Sequence, residues 1–370
     1  MRVRWGLLGA GAVTRQFARS LSLAEGHSVQ AVASRSPARA EALGRALGAV
    51  TAHGSYAGLV TDPSVDAVYV ATPPALHREH AILALRAGKP VLCEKPFATS
   101  AADARAVVEV AREVRVFCME AMWMRFIPLV RALRARIRAG EIGEVKMLQA
   151  ELGFAIPFDS ASRYYDPALG GGALLDLGVY PLSLAWFLLG RPSEGRALVT
   201  RAPTGVDEQV AIVLSFASGA LASLSCSFAQ RARNSAFVMG THGSLAVEAP
   251  LYAPSRLTLT RGAPPPVGAG VETALDPCSA GGRVEALVES VPALVTARRE
   301  LAPVLRQLVR REKAATLGPF LGHGYQFEAV EVGRCLSAGL LESPDMPLDE
   351  SVEILAAADA LRASGTFSEG

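Results

Sequence analysis

The chain has 370 residues, 50% of them hydrophobic, with 37 basic against 35 acidic residues and a formal net charge of +2. That length exceeds the roughly 250 to 300 residues at which one hydrophobic core stops growing, so two domains are expected. The near balance of charge offers no electrostatic footprint for nucleic acid or an anionic membrane surface, and points instead to a small neutral or mildly polar partner. Five cysteines, Cys93, Cys118, Cys226, Cys278 and Cys335, are odd in number, scattered and free of C-x-x-C spacing. Neither a disulfide framework nor a metal site is expected, and a reducing cytoplasm is the default setting.

The start of the chain superficially has the charged and apolar regions of a signal peptide, yet no small-residue cleavage site follows before Arg15. It reads better as a first strand, Val3 to Leu8, and a turn. A helix from about Val13 to Leu23 follows, then a strand Val29 to Ser34 and a helix Pro37 to Leu47. Val68 to Ala71, Leu76 to Ala87, Val91 to Glu94, Ala101 to Val114 and Val116 to Met119 continue the alternation. Such alternation builds an α/β domain, a Rossmann-type doubly wound parallel sheet with helices on both faces, here assigned to residues 1–124.

From about Phe126 the pattern changes. A basic amphipathic helix runs to Ala139, and short alternating strands begin at Val145. A C-terminal α+β domain with an open, largely antiparallel sheet is expected over residues 125–370. Its strands include Val145 to Phe154, Ala236 to Gly240, Leu245 to Glu248 and Leu257 to Thr260. Gln209 to Gln230 carries no charge over a length that raises the question of a membrane span, but its apolar residues alternate on either side of Ser218-Gly219, which is a β-hairpin. Residues 262–282 read as an irregular connector and Arg283 to Leu317 as a helical insertion rich in arginine. A helix Phe327 to Leu340 and a helix Asp349 to Ala363, N-capped by Asp349, close the chain.

Gly9-Ala10-Gly11-Ala12-Val13-Thr14 follows a strand and opens a helix, the context in which a glycine-rich turn binds a dinucleotide. Gly9 permits the tight turn, and Gly11 admits a pyrophosphate to the positive end of the helix beside Ala12 and Val13. After the second strand an NAD-preferring site places an acid, whereas this chain has Ala33-Ser34-Arg35-Ser36. Ser34, Arg35 and Arg39 suit a 2′-phosphate, so NADP is expected, with NAD possible. Thr72, Pro73 and His77 fall where a cofactor crosses the carboxyl ends of the strands. Glu94-Lys95-Pro96 ends the fifth strand on the same edge, and Asp176 and Tyr180 are four residues apart, on one face of a helix that Pro181 must distort. A lysine beside a tyrosine lowers the phenol toward ionisation, and such a phenol exchanges the proton that accompanies hydride transfer.

These residues together resemble the glucose-fructose oxidoreductase, inositol dehydrogenase and rhizopine-catabolism (Gfo/Idh/MocA) family over nearly the whole chain. Met119 to Phe126 and Gly171 to Tyr180 are similar to its dihydrodiol and NADP-dependent xylose dehydrogenase branch, where Tyr stands in place of the His of many members. The resemblance implies that Tyr180 is the acid/base, that Lys95 assists it and contacts the nicotinamide ribose together with Glu94, that Asp176 supports the pair, and that Lys95-Pro96 is cis. Trp123, Phe154 and Tyr164 are candidates to line a pocket for a sugar, cyclic diol or keto-sugar. No nucleic acid or membrane partner is expected. A homodimer is, through the charge-poor sheet. The alternatives are an NADP-binding sensor or assembly protein without turnover, and an NAD-dependent glycoside hydrolase on the same fold.

Overall fold

The computed structural model describes residues 2–262 and 313–368. Six strands, β1 Val3–Leu8, β2 His27–Ala33, β3 Thr51–His53, β4 Ala67–Val70, β5 Val91–Glu94 and β6 Cys118–Ala121, form a sheet in the order β3-β2-β1-β4-β5-β6, every pairing parallel. The strands alternate between two buried clusters. Ala67 and Tyr69 enter one core, while Val68 and Val70 enter the other. Helices on both faces cover these cores: α1 Ala12–Leu21, α2 Pro37–Leu47, α3 Tyr56–Val60, α4 His77–Arg86 and α5 Ala101–Val114. The order reverses between β1 and β4, so the crevice at their carboxyl ends is the expected ligand position for such a sheet.

After α6, Pro128–Arg138, the chain builds a second sheet of nine strands. They are β7 Val145–Gly153, β8 Glu194–Arg201, β9 Asp207–Ser215, β10 Leu221–Ser227, β11 Ala236–Gly240, β12 Gly243–Val247, β13 Arg256–Arg261, β14 Lys313–Leu317 and β15 Thr366–Ser368. Their order is β14-β13-β12-β11-β7-β10-β9-β8-β15, antiparallel except where β7 lies parallel to β10. The uncharged stretch is the expected hairpin, β9 and β10, with Gly219 at φ 79° in its turn. Val210, Ile212, Leu214, Ala222, Leu224 and Cys226 face inward and are buried.

Against that inner face lies α7, Val179–Leu189, preceded by a π-helical turn over Leu174–Gly178. Pro167–Leu189 is apolar enough to cross a membrane, with a mean hydropathy of 1.6, but 83% of its most apolar window is buried in the protein. Its composition follows from being enclosed between sheet and helices. Two last helices return to the first domain: α8, Tyr325–Ser337, packs on α1, and α9, Leu348–Ser364, packs on α5 and α7.

Three expectations need correction. The helical insertion was to reach Leu317, yet Lys313–Leu317 is strand β14 paired with β13; β-branched Thr316 and the sheet edge outweigh helical spacing there. The rest of that segment, and the connector beyond Gly262, lie outside the described residues. Asp349 does not cap the last helix. Pro347 is the N-cap residue and Asp349 sits in the first turn, where its charge still complements the helix dipole. The last parallel strand begins at Cys118 rather than Val116, because the helix before it ends in a left-handed Arg115.

Candidate functional site

The turn between β1 and α1 is built for close approach. Gly9 has φ +108°, and a Cβ there would lie 2.5 Å from the carbonyl oxygen of Ala71, a conformation and a space that only glycine tolerates. Gly11 is the N-cap residue of α1, and nothing lies within 4 Å of where its Cβ would be. Ala12 is exposed, Val13 half-buried, and the Gly11 N-cap makes no side-chain bond among the described residues, which leaves this helix start open to an anion. Thr14, in the third-glycine position, is buried with its hydroxyl unpartnered among the described residues.

At the end of β2, Ser34 is buried and its hydroxyl accepts from the Ser36 N–H at 3.3 Å, while Arg35 and Arg39 are exposed. The residues present therefore fit a dinucleotide with a phosphorylated ribose: an open glycine cradle, a hydroxyl and two exposed cations with no acid among them. Thr72 and Pro73 follow β4 on the same edge.

His77 plays a different part from a cofactor contact. It is 1% exposed, and its two ring nitrogens face the carbonyls of Pro96 and Thr72, each at 2.8 Å. Burial pulls its pKa down to about 4. The neutral ring has one N–H and donates to one of these carbonyls, and both nitrogens face the protein's own backbone.

Glu94, Lys95 and the cis Lys95-Pro96 bond follow β5. The Lys95 ammonium donates to the main-chain oxygen of Asp176 at 2.7 Å and to its carboxylate at 3.4 Å. It also lies over the Tyr180 ring, 4.9 Å from the centroid. Asp176 belongs to the π turn, which runs directly into α7, and Pro181 in the first turn of α7 has no N–H to offer the π turn before it. The distortion expected from Pro181 takes this form, and it sets Asp176 and Tyr180 toward one crevice. Asp207 holds the π turn from below, accepting from the Leu174 N–H.

Burial would raise the Asp176 carboxyl, but Lys95 and Arg163 together hold it below its ordinary value. Tyr180 behaves opposite to expectation. Burial first and the charge of Glu94 second push its phenol well above the ordinary value, against the Trp123 indole N–H, which donates to the phenol oxygen at 2.9 Å and lowers it. The lysine does not depress it here because the ammonium is committed to Asp176 rather than to the phenol oxygen.

These residues line a crevice of about 780 Å³ between the two sheets, and Trp123, Phe154 and Tyr164 all reach it. Residues not singled out in the sequence complete it: Gln16 from α1, Arg163, Tyr252, His323 and Tyr325. Trp123 stacks on Tyr325 with centroids 4.9 Å apart, and Tyr252 closes a box against Trp123 and Tyr180. Arg163 lies over the Tyr164 ring and donates to Asp176 at 3.3 Å. Tyr325 carried one local signal, since it opens α8 after Gly324; Arg163 and Tyr252 sit in loops that show none. Of the cysteines, Cys93 is buried with its thiol pushed well up by burial, an inert strand residue.

The chain matches two family models. Residues 3–122 match the oxidoreductase family with NAD-binding Rossmann fold, and residues 130–246 match the GFO/IDH/MocA C-terminal domain. Trans-1,2-dihydrobenzene-1,2-diol dehydrogenase of Mus musculus is 33% identical, covering 96% of this chain and 94% of that protein. D-xylose 1-dehydrogenase (NADP(+)) of Hypocrea jecorina is 34% identical, covering 99% and 93%. Among solved structures, aldose-aldose oxidoreductase from Caulobacter crescentus complexed with glycerol superposes with a TM-score of 0.79 over 100% of both chains at 22% identity, which is a likeness of fold. A Rossmann half and a C-terminal half that both match, with relatives a third identical along nearly their whole length, make this chain a member of the Gfo/Idh/MocA oxidoreductase family.

Proposed function

We propose that this protein is an NADP-dependent dehydrogenase or reductase acting on a CH–OH group of a sugar, cyclic diol or keto-sugar, with Tyr180 as acid/base. The observation that carries this reading is the convergence of Lys95, Asp176 and Tyr180 from two domains on one aromatic-walled crevice at the carboxyl edge of the NAD(P)-binding sheet. The relatives named as dihydrodiol and xylose dehydrogenases support the substrate class.

When bound, the nicotinamide supplies the hydride acceptor or donor. The protein's residues handle the rest. In oxidation, the alcohol carbon gives up hydride with its electron pair, and the hydroxyl proton passes to a Tyr180 phenolate; in reduction, the Tyr180 phenol protonates the oxygen of the new alcohol. Lys95, held by Asp176, keeps a positive charge beside that oxygen, and the Trp123 N–H orients the phenol. Trp123, Tyr252 and Tyr325 offer flat faces for a ring and keep bulk water from the reacting carbon.

Arg35 and Arg39 support NADP over NAD, because a 2′-phosphorylated ribose gains two cations and meets no carboxylate at the end of β2. We also place the protein in the cytoplasm, as its scattered buried thiols suit a reducing medium, and infer a homodimer through the outer face of the nine-stranded sheet. Following NADPH absorbance across a panel of aldoses, cyclic diols and keto-sugars tests the assignment. Turnover of at least one is expected, and Arg35→Asp should raise KM for NADP at least about tenfold, through loss of a charge-assisted contact and added repulsion. No turnover of any panel member by protein that binds NADP would favour the sensor reading.

A further inference from the structure

Arg163 is a charged crevice residue to which the chemistry above gives no task. It stands in the loop between β7 and the π turn, on a backbone that is held on both sides. The Tyr164 carbonyl accepts from the Gly172 N–H at 3.0 Å, which ties the loop to the segment leading into Asp176. Tyr165 is fully buried, its hydroxyl donates to the Ile156 carbonyl at 2.9 Å, and Phe228 packs edge-on against both tyrosines. The Arg163 guanidinium lies over the Tyr164 ring, 4.1 Å from its centroid, an arrangement that holds a planar cation in one orientation.

The guanidinium meets the cluster of Lys95, Asp176 and Tyr180 at one atom. Its Nη1 donates to Asp176 Oδ1 at 3.3 Å, and Lys95 Nζ reaches the same oxygen at 3.4 Å. Both contacts are longer than the roughly 2.8 Å of a charge-assisted bond, whereas Lys95 makes its short bond, 2.7 Å, to the neutral main-chain oxygen of Asp176. Lys95 and Arg163 are the cations paired with Asp176 among the described residues, so one carboxylate is divided between two cations and a net positive charge is left over. A carboxylate given to Lys95 alone would close on the ammonium and cancel its field at the reacting oxygen. Glu94 and Glu120, both buried, already place negative charge around Lys95, which makes the second cation matter more.

We propose that Arg163 is a positioning residue of the reaction. By taking a share of the Asp176 carboxylate, it keeps Lys95 out of a closed ion pair and leaves the ammonium's charge available to the oxygen that becomes negative as hydride and proton move. It acts through Asp176 and not on the reacting oxygen. This rests on the dehydrogenase reading above.

The test compares Arg163→Met, Arg163→Lys, Asp176→Asn and the double variant Arg163→Met/Asp176→Asn. Arg163→Met should lower kcat for a substrate found in the panel at least about tenfold and leave KM for that substrate and for NADP within about twofold, since an interaction that acts in the transition state appears in kcat. Arg163→Lys restores a cation and should recover most of the loss. Added to Asp176→Asn, Arg163→Met should cost less than about twofold, because its route to Lys95 is already cut. In a crystal structure of Arg163→Met, the Asp176 carboxylate should close on the Lys95 ammonium from 3.4 Å to about 2.8 Å. The Arg163 side chain is 53% exposed, and Arg163→Gln gives the same comparison should the Met variant not fold. A loss confined to KM for the substrate would make Arg163 a substrate contact and overturn the proposal, as would a full further loss in the double variant. A carboxylate that stays in place overturns it whether or not any substrate turns over. Wild-type protein that turns over no member of the panel refutes the dehydrogenase reading, and the position of the carboxylate in the variant still decides whether Arg163 divides it from Lys95.

Discussion

At Tyr180, position and protonation answer different questions. The phenol is in contact with Trp123 and under Lys95, where a proton-transfer group is needed, yet burial and Glu94 hold it neutral. A neutral phenol is the donor form, so carbonyl reduction should proceed without a basic limb up to the rise of the phenol's own ionisation. Alcohol oxidation requires the phenolate, whose fraction grows with pH below that point, so its kcat should climb through pH 7 to 9. Tyr180→Phe removes only the hydroxyl and should lower kcat by about 10² to 10⁴ in both directions while leaving NADP affinity nearly intact. Steady-state kinetics against pH checks both statements, and a near-normal rate in the Phe variant would move the proton to another group. The triad of Lys95, Asp176 and Tyr180 was legible in the chain because each member sits in a motif with local spacing. The depth of burial around the phenol was not, since Glu94, Glu328 and Trp123 meet it only through tertiary packing, and that is why lysine's expected pull on Tyr180 is overridden.

The π turn before α7 is the element on which the site hangs. Its backbone carbonyl at Asp176 receives Lys95, its start is tied to Asp207 on β9, and Pro181 terminates the irregularity one turn later. Gly172, just upstream, has φ +123°, and a Cβ there would lie 2.6 Å from the Asp207 carboxylate that holds the turn. Gly172→Ala should therefore cost about 2 kcal/mol or more, combining the left-handed penalty with displacement of a buried carboxylate. It should also lower kcat more than it raises KM for NADP, because the displaced turn carries Asp176 and Tyr180 and leaves the cofactor cradle alone. Thermal melting and kinetics of the variant decide it; an unchanged melting temperature would show that the turn is not tensioned in this way. Elements of this kind explain what the sequence does and does not display. Most of the parallel half is legible because its longer strands and helices announce themselves by periodicity and each crossover is local. The short β3, with three residues, and β15, at the sheet edge, have too little pattern to be seen. The insertion of β7 between β10 and β11 depends on pairing across some seventy residues of sequence, as Leu221 opposite Met147 shows, and periodicity carries no information about such partners.

On the scale of the whole molecule, the nine-stranded sheet has one face committed and the other open. Its inner face is filled by the π turn and α7. On its outer face Leu198 of β8, Val213 of β9, Leu221 of β10 and Phe237 of β11 are exposed, Leu198 by 83%, among the small polar side chains of Ser223 and Ser225. The register places Ser223 opposite Val213 and beside Gln149, so these residues form one continuous surface across five strands. Arg196, opposite Val213, and its partner Glu194 bring charge to the β8 side of this face, and the apolar stretch beside them is an adhesive patch on a monomer. Glu151, Arg233 and Glu248 border a groove on that face, and acids and a base at its rim can pair with their own copies across a two-fold axis. A homodimer with the two outer faces in contact is the expected assembly, and sedimentation at micromolar concentration should give about twice the 38.8 kDa of one chain. Val213→Lys would set a second cation beside Arg196 in the contact and should weaken dimerisation at least about tenfold, since a desolvated ammonium next to a like charge costs several kcal/mol. Because Val213 points away from α7 and the crevice, the same variant should keep the wild-type melting profile of the monomer. A wild-type species that sediments as a monomer at all accessible concentrations would rule the dimer out and leave the outer face as a solvated surface.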